Sequence, residues 1–130
     1  MALQAGLKGR CETTVVEENT AAAVGSGLLS VFATPMMVAL MENAAVNALK
    51  GYLEEGEGTV GTRIEVSHDA ATPLGMKVWA EAELTKVDGR ALTFAVSAFD
   101  EAGPIGKGSH TRFIIQNEKF MAKVVKKAGE

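Results

Sequence analysis

Hydrophobic and polar positions along the chain follow two periods, and the change from one to the other divides it. From Pro35 to Leu49 apolar side chains fall on nearly every face of a helix, with Met36, Met37, Val38, Leu40, Met41, Ala44, Ala45, Val46 and Leu49. Such a helix is expected to be surrounded by protein. Thr34 followed by Pro35 marks its start, because a threonine hydroxyl can accept a bond from a free N–H of the first turn and proline tolerates the first helical position. Gly51 and the acidic, glycine-containing run from Glu54 to Gly58 end it, so the pattern predicts one long helix over 35–53.

Beyond that point the pattern alternates. Val60, Thr62, Ile64, Val66 and His68 share one face of a strand, and Gly61, Arg63, Glu65, Ser67 and Asp69 the other. Met76 to Val87 alternates through Val78, Ala80, Ala82 and Leu84, and Asp88-Gly89 is a hairpin signal. Ala91 to Phe99 continues with Leu92, Phe94, Val96 and Ala98, Glu101 to Pro104 turns the chain, and Gly106 to Gln116 supplies a further strand. A short strand is expected before the helix, around Glu12 to Val16, and the tail from Glu118 reads as a strand extension or a terminal helix. One apolar helix facing a meander predicts an α+β domain in which a curled antiparallel sheet wraps the helix. The sheet edge and helix end that a single layer leaves open favour pairing with a second copy.

Composition narrows the class of protein. The 130 residues suit one domain, and 47% hydrophobic with 22% charged residues excludes wholesale disorder. Aromatics at 5% and a net charge of -3 argue against a nucleic-acid partner, which needs stacking platforms or a basic face. That small charge conceals an asymmetry: residues 1 to 106 hold 7 basic and 14 acidic side chains, residues 107 to 130 hold 6 and 2. The basic end (Lys107, Arg112, Lys119, Lys123, Lys126, Lys127) is either a solvated face or a surface for a small anionic ligand. Cys11 is alone, so neither an internal disulfide nor a cysteine cluster for zinc can form, and a cytoplasmic location is expected. The most apolar stretch, Gly27 to Leu49, is broken by Pro35 and Glu42 and does not read as a membrane span.

Glu42 is the informative residue, as the one ionisable side chain between Pro35 and Leu49, with Val38, Ala39, Ala45 and Val46 at helical spacing around it. An unpaired buried carboxylate costs several kcal/mol, so it must reach solvent, find a partner elsewhere, or serve as a general base or nucleophile. His68, in phase with the apolar face of its strand, is either a satisfied core histidine or half of an acid–base pair with Glu42. Thr34 adds a hydroxyl at the helix start beside free N–H donors that can cap the helix or cradle an oxyanion. His110, in Gly108-Ser109-His110-Thr111-Arg112, ranks as surface or supporting, Asp88 and Asp100 have turn explanations, and two distant histidines do not suggest a metal site.

At these residues a resemblance emerges. Val31-Phe32-Ala33-Thr34-Pro35-Met36-Met37-Val38-Ala39-Leu40-Met41-Glu42, then Gly58-Thr59-Val60-Gly61-Thr62 running to Val66-Ser67-His68, then Ala70-Ala71-Thr72-Pro73 and Glu118-Lys119-Phe120, resemble the fluoroacetyl-CoA thioesterase group of the hotdog superfamily over roughly Val31 to Lys127. The resemblance implies a hotdog fold, a homodimer with active sites at or near the interface, and hydrolysis of an acyl-CoA thioester; tetramer formation is left open. By position, Thr34, Glu42 and His68 match the group's catalytic trio, Gly61 a substrate-contacting backbone position and Arg112 a substrate-binding arginine. On this reading Glu42 attacks the thioester carbonyl or activates water, Thr34 and nearby N–H groups hold the oxyanion, and His68 shuttles a proton. Arg112 and the basic end face the phosphates of CoA, which arrives with the substrate, so no metal or other cofactor is needed. The departures bear on the acyl group. Fluoroacetyl-selective members carry a longer, phenylalanine-bearing lid before Val31 and glycine at position 35, whereas this chain has the short, flexible segment Ala21 to Ser30 and Pro35. A hotdog enoyl-CoA hydratase and a non-catalytic acyl-CoA binding module are the competing expectations.

Overall fold

The computed structural model describes residues 3–129. In chain order they form β1 (Lys8–Thr14), a single 3-10 turn (Glu17–Asn19), α1 (Ala21–Val24), α2 (Thr34–Ala48), β2 (Glu57–His68), β3 (Lys77–Asp88), β4 (Ala91–Asp100), β5 (Gly103–Gln116) and α3 (Asn117–Lys126). The five strands make one antiparallel sheet in the order β1-β3-β4-β5-β2, and α2 covers one of its faces, the hotdog arrangement.

The alternation read from the sequence builds the core. Val78, Ala80, Ala82 and Leu84 of β3 and Leu92, Phe94, Val96 and Ala98 of β4 are all buried against Met37, Leu40, Met41, Ala44, Ala45 and Ala48 of α2. Each large side chain among them contributes roughly 1.5–3 kcal/mol by leaving water. Small residues set how close the layers come. A Cβ on Gly9 of β1 would collide with the backbone of Ala44 and Ala48, so glycine there lets β1 pass against the helix. Gly9→Ala is therefore expected to cost about 1–3 kcal/mol of stability by overpacking, read as a lower urea midpoint at unchanged slope.

Several expectations change. The helix is shorter, because Leu49 N and Lys50 N bond back three residues to Val46 and Asn47 (3.1 and 3.3 Å), tightening the last turn, and Gly51 at φ 86 then turns the chain away. Thr34 does not cap it; Ala33 occupies the cap position and the Thr34 hydroxyl points elsewhere. Nor is α2 enclosed by its own chain. It lies over the β1 and β3 part of the sheet, leaving Pro35, Ala39, Asn43 and Val46 exposed beside the row Thr34, Val38 and Glu42. The phase of β2 also breaks: Gly61 pairs Arg112 and Arg63 pairs Thr111, which leaves Thr62 as a bulge. Ile64, Val66 and His68 keep their expected face, but Gly61, expected outward, turns in toward α2, and Thr62 stays exposed.

The early strand begins at Lys8, four residues sooner than expected, and the tail is the helix α3. The two ends of the segment before α2 are tied together: Thr20 bridges Phe32, Ala21 N donates to the Val31 carbonyl (2.8 Å) and Ala22 N to that of Leu29 (3.0 Å). No helix among the described residues is long and apolar enough to cross a membrane.

Candidate active site

Two groups of polar side chains face the space between α2 and β2. The first joins the N-terminus of α2 to the end of β2. Thr34 Oγ1 lies 2.7 Å from His68 Nδ1, so the hydroxyl expected to cap the helix instead meets the histidine. Both residues are placed by the loop after β2. Asp69 N bonds the Ile105 carbonyl (2.6 Å), which fixes the strand end, and Phe32 N bonds the Thr72 carbonyl (2.9 Å), which fixes the approach to α2. Thr72 is itself anchored, its hydroxyl donating to buried Asp100 (2.7 Å), whose other oxygen accepts from Ala102 N and Gly103 N. Asp100 thus has the turn role expected of it and a second one, tying that turn to the site.

Burial lowers the His68 pKa from the ordinary imidazole value, with the Ala70 backbone and the Asp69 charge opposing. The ring is therefore neutral near pH 7. Its Nε2 atom is buried with no hydrogen-bond partner among the described residues. A neutral base or donor beside a hydroxyl is chemically competent for proton transfer.

The second group surrounds Glu42. Its carboxylate finds the partner that its own helix lacks in Arg112 of β5, whose Nη1 lies 3.4 Å from Glu42 Oε2. Arg112 is 7% exposed and its guanidinium is well occupied: Nε donates to Thr59 Oγ1 (2.8 Å), Nη2 to the Thr59 carbonyl (3.0 Å), and Nη1 also meets His110 Nε2 (3.1 Å). Burial lowers its pKa, opposed by Glu42, but an arginine stays charged at neutral pH. The Glu42 side chain keeps 40% exposure, so the held carboxylate still has an open side. Gly61 supplies the room. A Cβ there would stand 2.6 Å from Glu42 Oε2, 3.1 Å from His110 Cε1 and 3.3 Å from Arg112 Nη1.

One expectation changes here and another narrows. Arg112, expected to face the phosphates of CoA, has its guanidinium bonded to Thr59, His110 and Glu42 instead. Of the two places expected for His110, surface or supporting, the structure leaves the second: it is 1% exposed, with Nδ1 2.7 Å from the Arg63 carbonyl and Nε2 3.9 Å from Glu42 Oε2. The signal for both was present: His110 and Arg112 share phase with Ile114 and alternate with Ser109, Thr111 and Phe113 along β5.

The structure thus brings Thr34 to His68, and Glu42 to Gly61 and Arg112, but it does not join the two groups within one chain. Eight helical positions separate Thr34 from Glu42, about 12 Å along the axis, and no hydrogen bond or ion pair links the groups among the described residues.

Comparison with known proteins gives consistent results. The family model described as fluoroacetyl-CoA-specific thioesterase matches residues 15–118. A fluoroacetyl-CoA thioesterase of Streptantibioticus cattleyicolor is 55% identical over 97 residues, covering 75% of this chain and 70% of that protein. A solved structure of the fluoroacetyl-CoA thioesterase FlK superposes with TM-score 0.92 at 42% identity over 98% of both chains. A thioesterase superfamily member from Thermus thermophilus does so with TM-score 0.87 at 32% identity, over 95% of this chain and 91% of the other.

Proposed function

The chain belongs to the fluoroacetyl-CoA-specific thioesterase family and is an acyl-CoA thioesterase, and from that premise we propose that Thr34, Glu42 and His68 carry out the hydrolysis. The observation that carries this reading is the Glu42 carboxylate, held by buried Arg112 against the Gly61 backbone with one side open. A carboxylate so fixed can attack a thioester carbonyl or activate a water for the attack. The Thr34–His68 pair supplies the hydroxyl and the neutral base that move protons to and from the reacting atoms. The chemistry uses the chain's own side chains, and CoA enters as part of the substrate. The lone Cys11 fits a reducing, cytoplasmic setting.

A second copy completes the site on this reading. β2 is a 12-residue edge strand with one side of its backbone unpaired, and the uncovered α2 strip of Pro35, Ala39 and Val46 lies on the same side of the protomer. Antiparallel pairing of two β2 strands centred near Ile64 and Glu65 runs the His68 end of one beside the Gly61 end of the other. Each complete site then takes Thr34 and His68 from one protomer and Glu42 from its partner.

The phosphates of CoA fall to α3 rather than to Arg112. Asn117 N bonds the Gly56 carbonyl (2.9 Å), so α3 starts beside the first residues of β2, on the order of 10 Å from Gly61. It presents Lys119, Lys123, Lys126 and Lys127, all exposed, at a distance suited to the far end of a pantetheine arm.

The family's fluoroacetyl selectivity is not carried over, because the excursion before α2 ends in exposed Leu28 and Leu29 and position 35 is proline. Thiol release should be measured with acetyl-, fluoroacetyl-, isobutyryl- and benzoyl-CoA. At least one is expected to be hydrolysed well above background, with fluoroacetyl-CoA favoured over acetyl-CoA by less than about tenfold in kcat/KM, a gap under ~1.4 kcal/mol. On that substrate kcat/KM should be lost as pH falls, with a midpoint below the ordinary imidazole value, because His68 works neutral and its pKa is lowered. No thiol release from any of them would sink the reading.

A further inference from the structure

His110 has no part in the chemistry above, yet it is the most deeply buried histidine of the chain and meets the carboxylate's own partner. Its bonding fixes its state. Nδ1 is 2.7 Å from the Arg63 carbonyl, which can only accept, so Nδ1 carries the proton. Nε2 is then a lone pair, and it faces Arg112 Nη1, which can only donate, at 3.1 Å. Both contacts demand the same neutral tautomer. Nη1 has two hydrogens; His110 takes one, and the geometry leaves the other for Glu42 Oε2 at 3.4 Å. With Nε and Nη2 held by Thr59, the guanidinium has no freedom to rotate.

We propose that His110 is a positioning residue, which in its neutral form clamps Arg112 so that the guanidinium holds Glu42 in the attacking orientation. The proposal rests on the reading of Glu42 as the reacting carboxylate. It adds a requirement that a structural histidine does not have: a protonated His110 would turn an N–H toward an N–H and place two cations about 3 Å apart in a buried site. The charged groups facing the ring are Glu42 from α2 and Arg112 from β5. β2 offers only the Arg63 carbonyl, since the Arg63 guanidinium is paired with Glu65 at 2.8 Å, and β4 offers the uncharged Phe94 ring at 6.2 Å. Protonation therefore releases Arg112, and activity in acid depends on two imidazoles, His68 and His110.

The test compares the parent with His110→Leu, which removes the acceptor, and His110→Gln, whose amide oxygen reaches the Nε2 position. Each is assayed between about pH 5 and 8 on whichever of the four acyl-CoAs the parent hydrolyses fastest. His110→Leu is expected to lower kcat 10- to 100-fold with KM within threefold, and His110→Gln to recover most of that loss. The acid limb of log kcat/KM should fall one proton less steeply in His110→Gln than in the parent, because one of the two imidazoles that must stay neutral is gone. Parental kcat in His110→Leu, or a His110→Gln limb as steep as the parent's, overturns the proposal. If His110→Leu does not fold, the steepness of the His110→Gln limb decides alone. Glu42→Gln run alongside separates the two readings: parental activity there removes the carboxylate's role, whereas a full loss there with none in His110→Leu removes only the clamp.

Discussion

Glu42→Gln is expected to lower kcat for thioester hydrolysis about 10³-fold, ~4 kcal/mol of transition-state stabilisation, while KM moves by no more than a few-fold. The substitution is nearly isosteric. A glutamine oxygen can still accept from Arg112 Nη1, so the Arg112–Thr59–His110 network has no reason to rearrange. What is lost is the negative charge, and with it the capacity either to attack a carbonyl carbon or to draw a proton from water. Because Glu42 is 40% exposed and lies outside the hydrophobic core, the urea midpoint should stay close to the parent's. Rapid hydrolysis by Glu42→Gln would leave no role for the carboxylate. A loss carried by KM alone would make it a substrate-binding group.

How far the fold was legible in the sequence depended on whether a residue's environment is set by its neighbours in the chain. The β3 and β4 core positions follow strict alternation, and each residue read as inward there is buried. The helix α2 was equally visible, but its enclosure was not. The apolar residues Pro35, Ala39 and Val46 look the same in a string whether their cover comes from the same chain or another. The phase of β2 failed for a different reason: a bulge is one extra residue, and nothing in Val60-Gly61-Thr62-Arg63 marks which residue is extra. That single residue decides that Gly61 faces Glu42.

The candidate site shows the same division. Thr34, Glu42 and His68 stood out because each is a chemical exception in an apolar or helix-start context. The partners that give them their properties are remote in sequence. Arg112, 70 residues from Glu42, was assigned to phosphates because the count of charges placed it in a basic segment. The register of β5 against β2 places it instead beside Thr59 and Gly61. Charge counting sees composition, whereas pairing across a sheet sets contact.

Mixing two inactive variants is expected to restore activity, and the pattern of restoration identifies which chain supplies which group. Suppose each site takes Thr34 and His68 from one protomer and Glu42 from the other. A dimer of one Thr34→Ala chain and one Glu42→Gln chain then has one site carrying both lesions and one carrying neither. Random reassortment makes about half of all dimers mixed, so a 1:1 co-expression should recover about one quarter of the parental rate per chain, far above either variant alone. His68→Ala with Glu42→Gln should behave alike. Thr34→Ala with His68→Ala should not, since the 2.7 Å contact of these residues places both lesions in the half-site built by one chain, and every site then lacks one or the other. If the three groups instead met within a single protomer, every site in every mixture would carry a lesion and no pair would recover. Recovery in the two pairs containing Glu42→Gln, with none in the third, is a result that only a site shared between two protomers produces, as pairing across the β2 edge would make it. It also accounts for why α2 leaves its Pro35, Ala39 and Val46 strip open beside the row that carries Thr34 and Glu42.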